Sequence, residues 1–226
     1  MAFTQKNTRS NPPYLRNGDC MLRQEFHGLY TMMPDGYRAE LLGGIVFEPP
    51  SPVSYSHGEH HSQLNHLLRM YSIRTPHVSL GDNTSVFLSD EDELQPDLTL
   101  RLSENAGGKS TLSDKGFVLG APELVAEIAY SSRAIDLHFK KSRYKLAGVD
   151  EYIVICIEPK QFYWFDLKGE TELKARKGIT RSMIFPGLWL CGEALLELDD
   201  HSADEILARG LKSQEHKRFK MKLDRM

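Results

Sequence analysis

The stretch "GAPELVAEIAYSSRAIDLHFKKSRYKLAGVDEYIVICIE", residues 120–158, decides the fold. Its opening run, Leu124–Ala129, is apolar enough for a buried strand except at one carboxylate, Glu127. A helix follows: Ser131 or Ser132 caps it, Ile135, Phe139 and Leu146 form an apolar stripe, and Gly148 ends it. "EYIVICIE" then reads as a second buried strand. Strand, helix, strand in this order is a βαβ-like unit, with its helix packed on a sheet. An unpaired buried carboxylate costs several kcal/mol, about 2–7 for even a neutral polar group, so Glu127 demands a partner.

Working outward, the flanking segments read as antiparallel strands and helices. "YRAELLGGIVFEPP" (37–50) is two short strands turning at Gly43-Gly44. Residues 56–74 carry Leu64, Leu67, Leu68 and Tyr71 at helical spacing, with Ser56 as the N-cap. "HVSLGDNTSVFLS" and "QPDLTLRL" supply further strands, and 103–116 is a polar Gly/Ser/Lys loop. "QFYWFDL", "ETELKAR" and "SMIFPGLWL" continue as antiparallel strands, and a last helix begins near Asp199 or Asp200. The fold class is therefore mixed α/β: a central mixed β-sheet flanked by helices, with additional antiparallel strands. Residues 1–20 are expected to form a flexible arm, 21–200 a single domain, and 201–226 a helix and a basic tail.

The composition narrows the function classes. A chain of 226 residues with 40% hydrophobic content can bury one sizeable core. The formal net charge of −3 gives no overall positive field for nucleic acid, so any such reading must rest on local features. Cys20, Cys156 and Cys191 are scattered without CxxC spacing, which points to a reduced, cytoplasmic protein. The first twenty residues lack an apolar signal segment, and no run approaches the length needed to span a membrane. The exception to the charge balance is 209–226, with seven Lys/Arg against two acids, about +5. It reads either as a solvated terminus or as a phosphate-binding arm.

Three constellations could carry chemistry. Carboxylates recur on strands: Asp97 after Pro96, Glu127 mid-strand, and Glu40 near a third strand. Such oxygens suit a hard cation such as Mg²⁺, which binds through one or two carboxylates plus water and substrate phosphate. Taken singly, Asp97 also reads as a turn residue, Glu127 as an acid tied to Arg, Lys or an amide, and Glu40 as an exposed strand residue. On the following helix Asp136, Lys140 and Tyr144 fall in one row. That row is either a surface ion pair or a lysine aimed at a bound phosphate. His57, His60, His61 and His66 lack an HExxH pattern and read better as a solvated helix start, with His57 reaching a nearby site, than as a metal cluster.

Together these residues resemble a known family. "YRAELLGGIV", the His57-Gly58 turn after "PPSPVSYS", "LQPDLTL", the block at 120–155 and "FPGLWL" resemble the corresponding elements of the Uma-two family of restriction-endonuclease-like proteins, within the PD-(D/E)XK nuclease superfamily. The resemblance covers roughly 21–198 and is most specific over 121–155. It implies a restriction-endonuclease-like core and a metal-dependent endonuclease acting on DNA, with Mg²⁺ or Mn²⁺ as cofactor. Asp97 and Glu127 match the acidic metal ligands, with the Ile128 carbonyl as a further ligand, and Glu40 matches an additional acid. The superfamily lysine two residues after the glutamate is Ala129 here, and Lys140 on the next helix is the matching position. His57 matches a family histidine, and Asp136 and Tyr144 lie close to the site. This chain departs from the family at Gly43-Gly44-Ile45, where a D-G-E triplet is usual, and at Tyr130-Ser131-Ser132, where a proline is usual. Two other classes of function stay open: a catalytically degenerate module that binds nucleic acid or a protein, and a homodimer component pairing through "FYWFDL".

Overall fold

The computed structural model describes residues 14–49 and 54–226. The chain forms α1 (Arg23–Tyr30), β1 (Glu40–Leu42), β2 (Ile45–Phe47), α2 (Tyr55–Ser72), β3 (Val78–Asp82), β4 (Val86–Ser89), β5 (Asp92–Leu94) and β6 (Leu98–Leu102). It continues with β7 (Thr111–Leu112), β8 (Val118–Leu119), β9 (Leu124–Ala129), a π-helical turn (Ile135–Lys140) and α3 (Lys141–Ala147). After these come β10 (Glu151–Cys156), β11 (Gln161–Asp166), β12 (Thr171–Glu172), β13 (Thr180–Arg181) and β14 (Trp189–Leu190). The order closes with α4 (Gly192–Leu196), α5 (Asp200–Leu211) and α6 (Gln214–Leu223). No helix among the described residues is long and apolar enough to cross a membrane.

The expected mixed sheet is present, a second six-stranded sheet accompanies it, and β13 and β14 pair separately as a two-stranded ribbon. The first sheet has the order β12-β11-β10-β9-β6-β3, the second β2-β1-β5-β4-β8-β7. In the first, β9 and β10 are parallel and every other pairing is antiparallel, which is the βαβ unit of residues 120–158. Alternation along β9 splits its side chains between two cores. Leu124, Ala126 and Ile128 face Leu64, Leu67, Leu68 and Tyr71 of α2, together with Leu195 of α4 and Leu207 of α5. Val125 and Ala129 face Tyr144 of α3, Tyr152, and Leu42 and Leu94 of the second sheet. Glu127 shares this second face, so its carboxylate points at the crossover helix and the neighbouring sheet.

The crossover helix corrects one expectation. Phe139 and Leu146 are 43% and 74% exposed, so the apolar stripe is not the buried face. Asp136, Lys140 and Tyr144 are buried instead. A buried carboxylate on β9 makes the polar row the better match for the sheet. Ser132 does not cap an amide; its hydroxyl donates to Asp136 Oδ2 at 2.6 Å. On α2 the cap is Ser54, whose side chain accepts from the His57 amide, two residues earlier than Ser56.

Other segments are more ordered than their composition suggests. Residues 14–20 fall in the expected arm, yet Leu15 is buried with Phe26 and Leu41, and the Gly18 amide donates to the Val46 carbonyl. The rest of that arm, residues 1–13, lies outside the described residues. The 103–116 loop carries β7 and is pinned by the buried Glu123, which accepts from the amides of Leu102 and Lys109. The basic tail is a helix, α6. Trp164 and Phe165 of the aromatic run are buried. The Gly43-Gly44 turn joins β1 to β2 with both residues at positive φ, 61° and 76°, a backbone that side chains with a Cβ rarely adopt.

Glu151 opens β10 from inside the core. It accepts from Trp164 Nε1 at 3.1 Å, Ser182 Oγ at 2.8 Å and the Met183 and Ile184 amides at 2.6 and 3.2 Å. Burial nevertheless pushes its pKa up to about 7 from 4.5. The folded state therefore holds a proton that the unfolded chain releases between these values. Glu151's contribution to stability is full below about 4.5 and is lost as pH rises toward about 7. Glu151→Gln sets an amide N–H against groups that donate, with an expected cost of about 1–3 kcal/mol. It should also remove this part of the pH dependence; urea unfolding across the window measures both.

Candidate active site

Asp97 stands one residue before β6, which pairs antiparallel to β9 with Leu98 opposite Ala126. Its side chain therefore lies beside the carboxyl end of β9, where Oδ2 accepts from the Ile128 amide at 2.7 Å. Oδ1 faces His57 Nε2 at 3.6 Å. Burial pushes the Asp97 pKa up, but His57, the Ile128 amide and the Lys140 charge outweigh it and hold the carboxyl below its usual value. His57 is raised in turn by Asp97, against the pull of burial and with help from the Ile128 carbonyl. That carbonyl thus opens toward the same cleft.

Lys140 answers the question posed by Glu127. Its Nζ lies 3.0 Å from Glu127 Oε1 and 2.9 Å from Glu40 Oε2. The contact to Asp136 is longer, 3.9 Å. All four groups are at most 6% exposed. The Tyr144 hydroxyl donates to Glu127 Oε1 at 2.8 Å, and the Gln95 amide donates to Glu40 Oε1 at 2.8 Å. Burial is the main reason that Glu127 and Asp136 sit above the usual carboxylate range. Burial also pulls Lys140 down, yet Glu127, Glu40 and Asp136 together hold it well above the ordinary lysine value. The lysine is therefore an ammonium set among three buried acids.

These residues line one cavity of about 430 Å³ between the two sheets, shared by Glu40, His57, Asp97, Glu127, Asp136 and Lys140. Tyr144 lies beneath it, reaching Glu127 from the core side. Of the other three histidines, His60 turns to the Ser56 carbonyl and His66 to Asp204, while His61 stacks on His57 and its Nε2 lies 3.2 Å from Asp82 and 3.4 Å from the Asp97 carbonyl. Reading the sequence missed three supports. Gln95 holds Glu40 and stands two residues before Asp97, in the quoted "QPD" motif. Ser132 holds Asp136. Arg143, on α3, clamps Asp92 at 2.7 Å, and Asp92 also accepts from the Gly43 amide, so the hairpin bearing Glu40 is tied to the helix bearing Lys140. A Lys/Arg on the helix facing a D/E run gave no distinctive spacing by which to find it.

Among the described residues no three His, Cys, Asp or Glu side chains already form a metal-holding group. A Mg²⁺ site needs only one or two carboxylates, the balance being water and phosphate. Buried acceptors remain for it. Asp136 Oδ1 has no hydrogen-bond donor among the described residues. Neither has Glu40 Oε2, which is close to Nζ but off the direction of a hydrogen bond. The hard oxygens of Asp97, Glu127 and the Ile128 carbonyl fit such an ion.

The family described as "Uma2: Putative restriction endonuclease" matches residues 23–196. The crystal structure of a putative nuclease belonging to DUF820 from Anabaena variabilis ATCC 29413 has a similar fold, with a TM-score of 0.59 at 12% identity. The similarity covers 75% of this chain and 96% of that one. No curated protein matches the sequence.

Proposed function

The chain belongs to the Uma2 family of restriction-endonuclease-like proteins, and on that premise we propose that it is a Mg²⁺-dependent endonuclease hydrolysing DNA phosphodiesters. The observation that carries this reading is the Lys140 ammonium, buried between Glu127 and Glu40 in the cavity that also holds Asp97. A protein interior keeps such an excess of acid only at a cost, and perturbed carboxylates in a cleft are a mark of functional sites. Asp97 and Glu127, with the Ile128 carbonyl and Glu40, would hold Mg²⁺ or Mn²⁺. When bound, the ion neutralises phosphate charge and lowers the pKa of water.

The chain's own groups have separate roles. Lys140 holds the nucleophilic water and stabilises charge on the phosphoryl oxygens as water attacks phosphorus, gives up a proton to solvent, and the bond to the leaving ester oxygen breaks, that oxygen taking a proton from solvent. Glu40 and Asp136 keep Lys140 charged, Tyr144 fixes Glu127, and His57 orients Asp97. The setting is the reducing cytoplasm, where the free thiols Cys20, Cys156 and Cys191 persist.

A second reading has one observation behind it. Lys140 partly neutralises Glu127 and Glu40, and no three-ligand group is pre-formed among the described residues. On that reading the chain is a silent module that binds without cutting. Calorimetric titration with Mg²⁺ or Mn²⁺ separates the two. The nuclease reading expects binding that is lost in Asp97→Asn, and absence of binding in the unaltered protein supports the module.

A further inference from the structure

Residues 209–226 hold a net charge of +5 in a chain of −3, which leaves −8 on the preceding 208 residues. They lie outside the family match, which ends at 196. They form the end of α5 and all of α6, and α6 is docked firmly. Ser213 caps it by accepting from the His216 amide. The buried His216 ring meets Thr75 Oγ1 at 2.9 Å and the Leu211 carbonyl at 2.8 Å, while Trp189 Nε1 donates to Glu215. Gly210 permits the approach: a Cβ there would collide with the Gly187 carbonyl and the Trp189 ring.

Docking divides α6 into two faces. His216, Phe219 and Leu223 turn inward, whereas Lys217, Arg218 and Lys222 turn to solvent, with Arg225 one turn on. Arg209 and Lys212 of the preceding segment are exposed beside them. None of these six cations has an ion pair among the described residues, although other surface lysines do. Lys212 also shares a surface hollow with Arg74 from the end of α2.

We propose that this face is a docking surface for the phosphate backbone of a nucleic acid. The choice of nucleic acid rests on the nuclease reading; the unpaired cationic stripe does not. A fixed helix bearing unpaired Lys/Arg gains affinity by releasing phosphate counterions, with no segment left to order. A lipid surface is a poorer match, because a helix that lies on a membrane needs a free apolar face, and that face of α6 is spent on the protein core.

The position is informative as well. His57 of the cleft is in the first turn of α2, and Thr75 of the α6 dock stands three residues beyond its last residue, Ser72. At 1.5 Å per residue the helix from His57 to Ser72 alone spans about 22 Å, or about seven base pairs at 3.4 Å each. The basic face would thus grip a duplex well away from the point of cleavage and favour long substrates over short ones.

The test is Lys217→Gln, Arg218→Gln, Lys222→Gln and Arg225→Gln combined, assayed by fluorescence anisotropy in EDTA. The probe is a labelled duplex of about thirty base pairs, titrated between about 50 and 200 mM salt. The expected result is a slope of log K against log salt shallower by roughly three to four, with affinity at about 50 mM salt down about 10⁴–10⁵-fold. The advantage of the long duplex over one of about seven base pairs should disappear. If the combined variant unfolds by circular dichroism, Lys217→Gln with Lys222→Gln should give about half the change in slope. An unchanged slope and affinity overturn the proposal. So does a protein that binds phosphatidylserine vesicles or polyglutamate-decorated beads but not the duplex. Salt-dependent DNA binding through these residues in a protein that cuts nothing would keep this inference and remove the nuclease reading. Cleavage with binding indifferent to them would do the reverse.

Discussion

Lys140→Met is expected to cost about 3–5 kcal/mol of stability at neutral pH and to eliminate cleavage. The substitution keeps the length and packing of the side chain but withdraws the cation from a buried cluster. Glu127, Glu40 and Asp136 would then face one another with no opposing charge, and all three are at most 5% exposed. The loss should depend on pH with a definite sign. Burial already raises the pKa of Glu127 and Asp136, and removing Lys140, which lowers both, raises them further. A folded state with raised carboxylate pKa values takes up protons that the unfolded chain does not hold, so its stability falls as pH rises through the gap. Urea unfolding should therefore find the variant close to the parent in mild acid and far below it at neutral pH. A uniform loss at all pH values would mean that Lys140 serves packing rather than charge. Lys141→Met is the control: Lys141 lies 3.5 Å from the centre of the Phe165 ring, outside the cleft, and its loss should leave cleavage intact.

Glu127→Gln is expected to lower cleavage by about a hundredfold to a thousandfold, the scale on which removal of a single charge-stabilising group acts, while leaving stability within about 1 kcal/mol or raising it. The amide oxygen can still accept from Tyr144 and Lys140, whose present contacts are to Glu127 Oε1 at 2.8 and 3.0 Å. Lys140 keeps Glu40 and Asp136 as counter-charges. What disappears is an expensively buried acid. A stable but inactive variant separates chemistry from folding at one position, the trade-off seen where a site is held against the preference of its surroundings. A large loss of stability in this variant would instead make Glu127 a structural partner of Lys140.

Much of the site could be read from residue spacing. The row Asp136, Lys140, Tyr144 and the strand carboxylate Glu127 do meet, because helix and strand periodicities are local properties of the chain. The buried face of the crossover helix differs from the expected one for a related reason. Ile135, Phe139 and Leu146 are the more apolar residues, and apolar residues usually point inward. Only the presence of a buried acid on the facing strand reverses that preference, and a helix read by itself does not contain it. Glu40 reads as an exposed strand residue in isolation, and becomes 4% exposed once Gln95 and Lys140 close over it from residues 55 and 100 positions away.

Local signals also misplaced features by small amounts where two residues offer the same chemistry. Ser54 and Ser56 can both cap α2, and the choice falls to the one whose side chain meets the His57 amide. Sheet membership was beyond local reading. "HVSLGDNTSVFLS" is two strands as expected, but β3 joins the first sheet and β4 the second, since each pairs with a strand elsewhere in the chain. The helix α6 was hidden by its charge: six of its ten residues are Glu, His, Lys or Arg, and its inward face becomes visible only against Thr75 and Gly187.

The central claim is that the cleft around Lys140 hydrolyses phosphodiesters with a divalent ion held by Asp97 and Glu127. The most direct measurement is relaxation of supercoiled plasmid by the purified protein in Mg²⁺, beside Glu127→Gln prepared in the same way. The account predicts nicking that requires the metal, stops in EDTA and is absent from the variant. Nicking that persists in EDTA, or that Glu127→Gln performs at the parent rate, would contradict it.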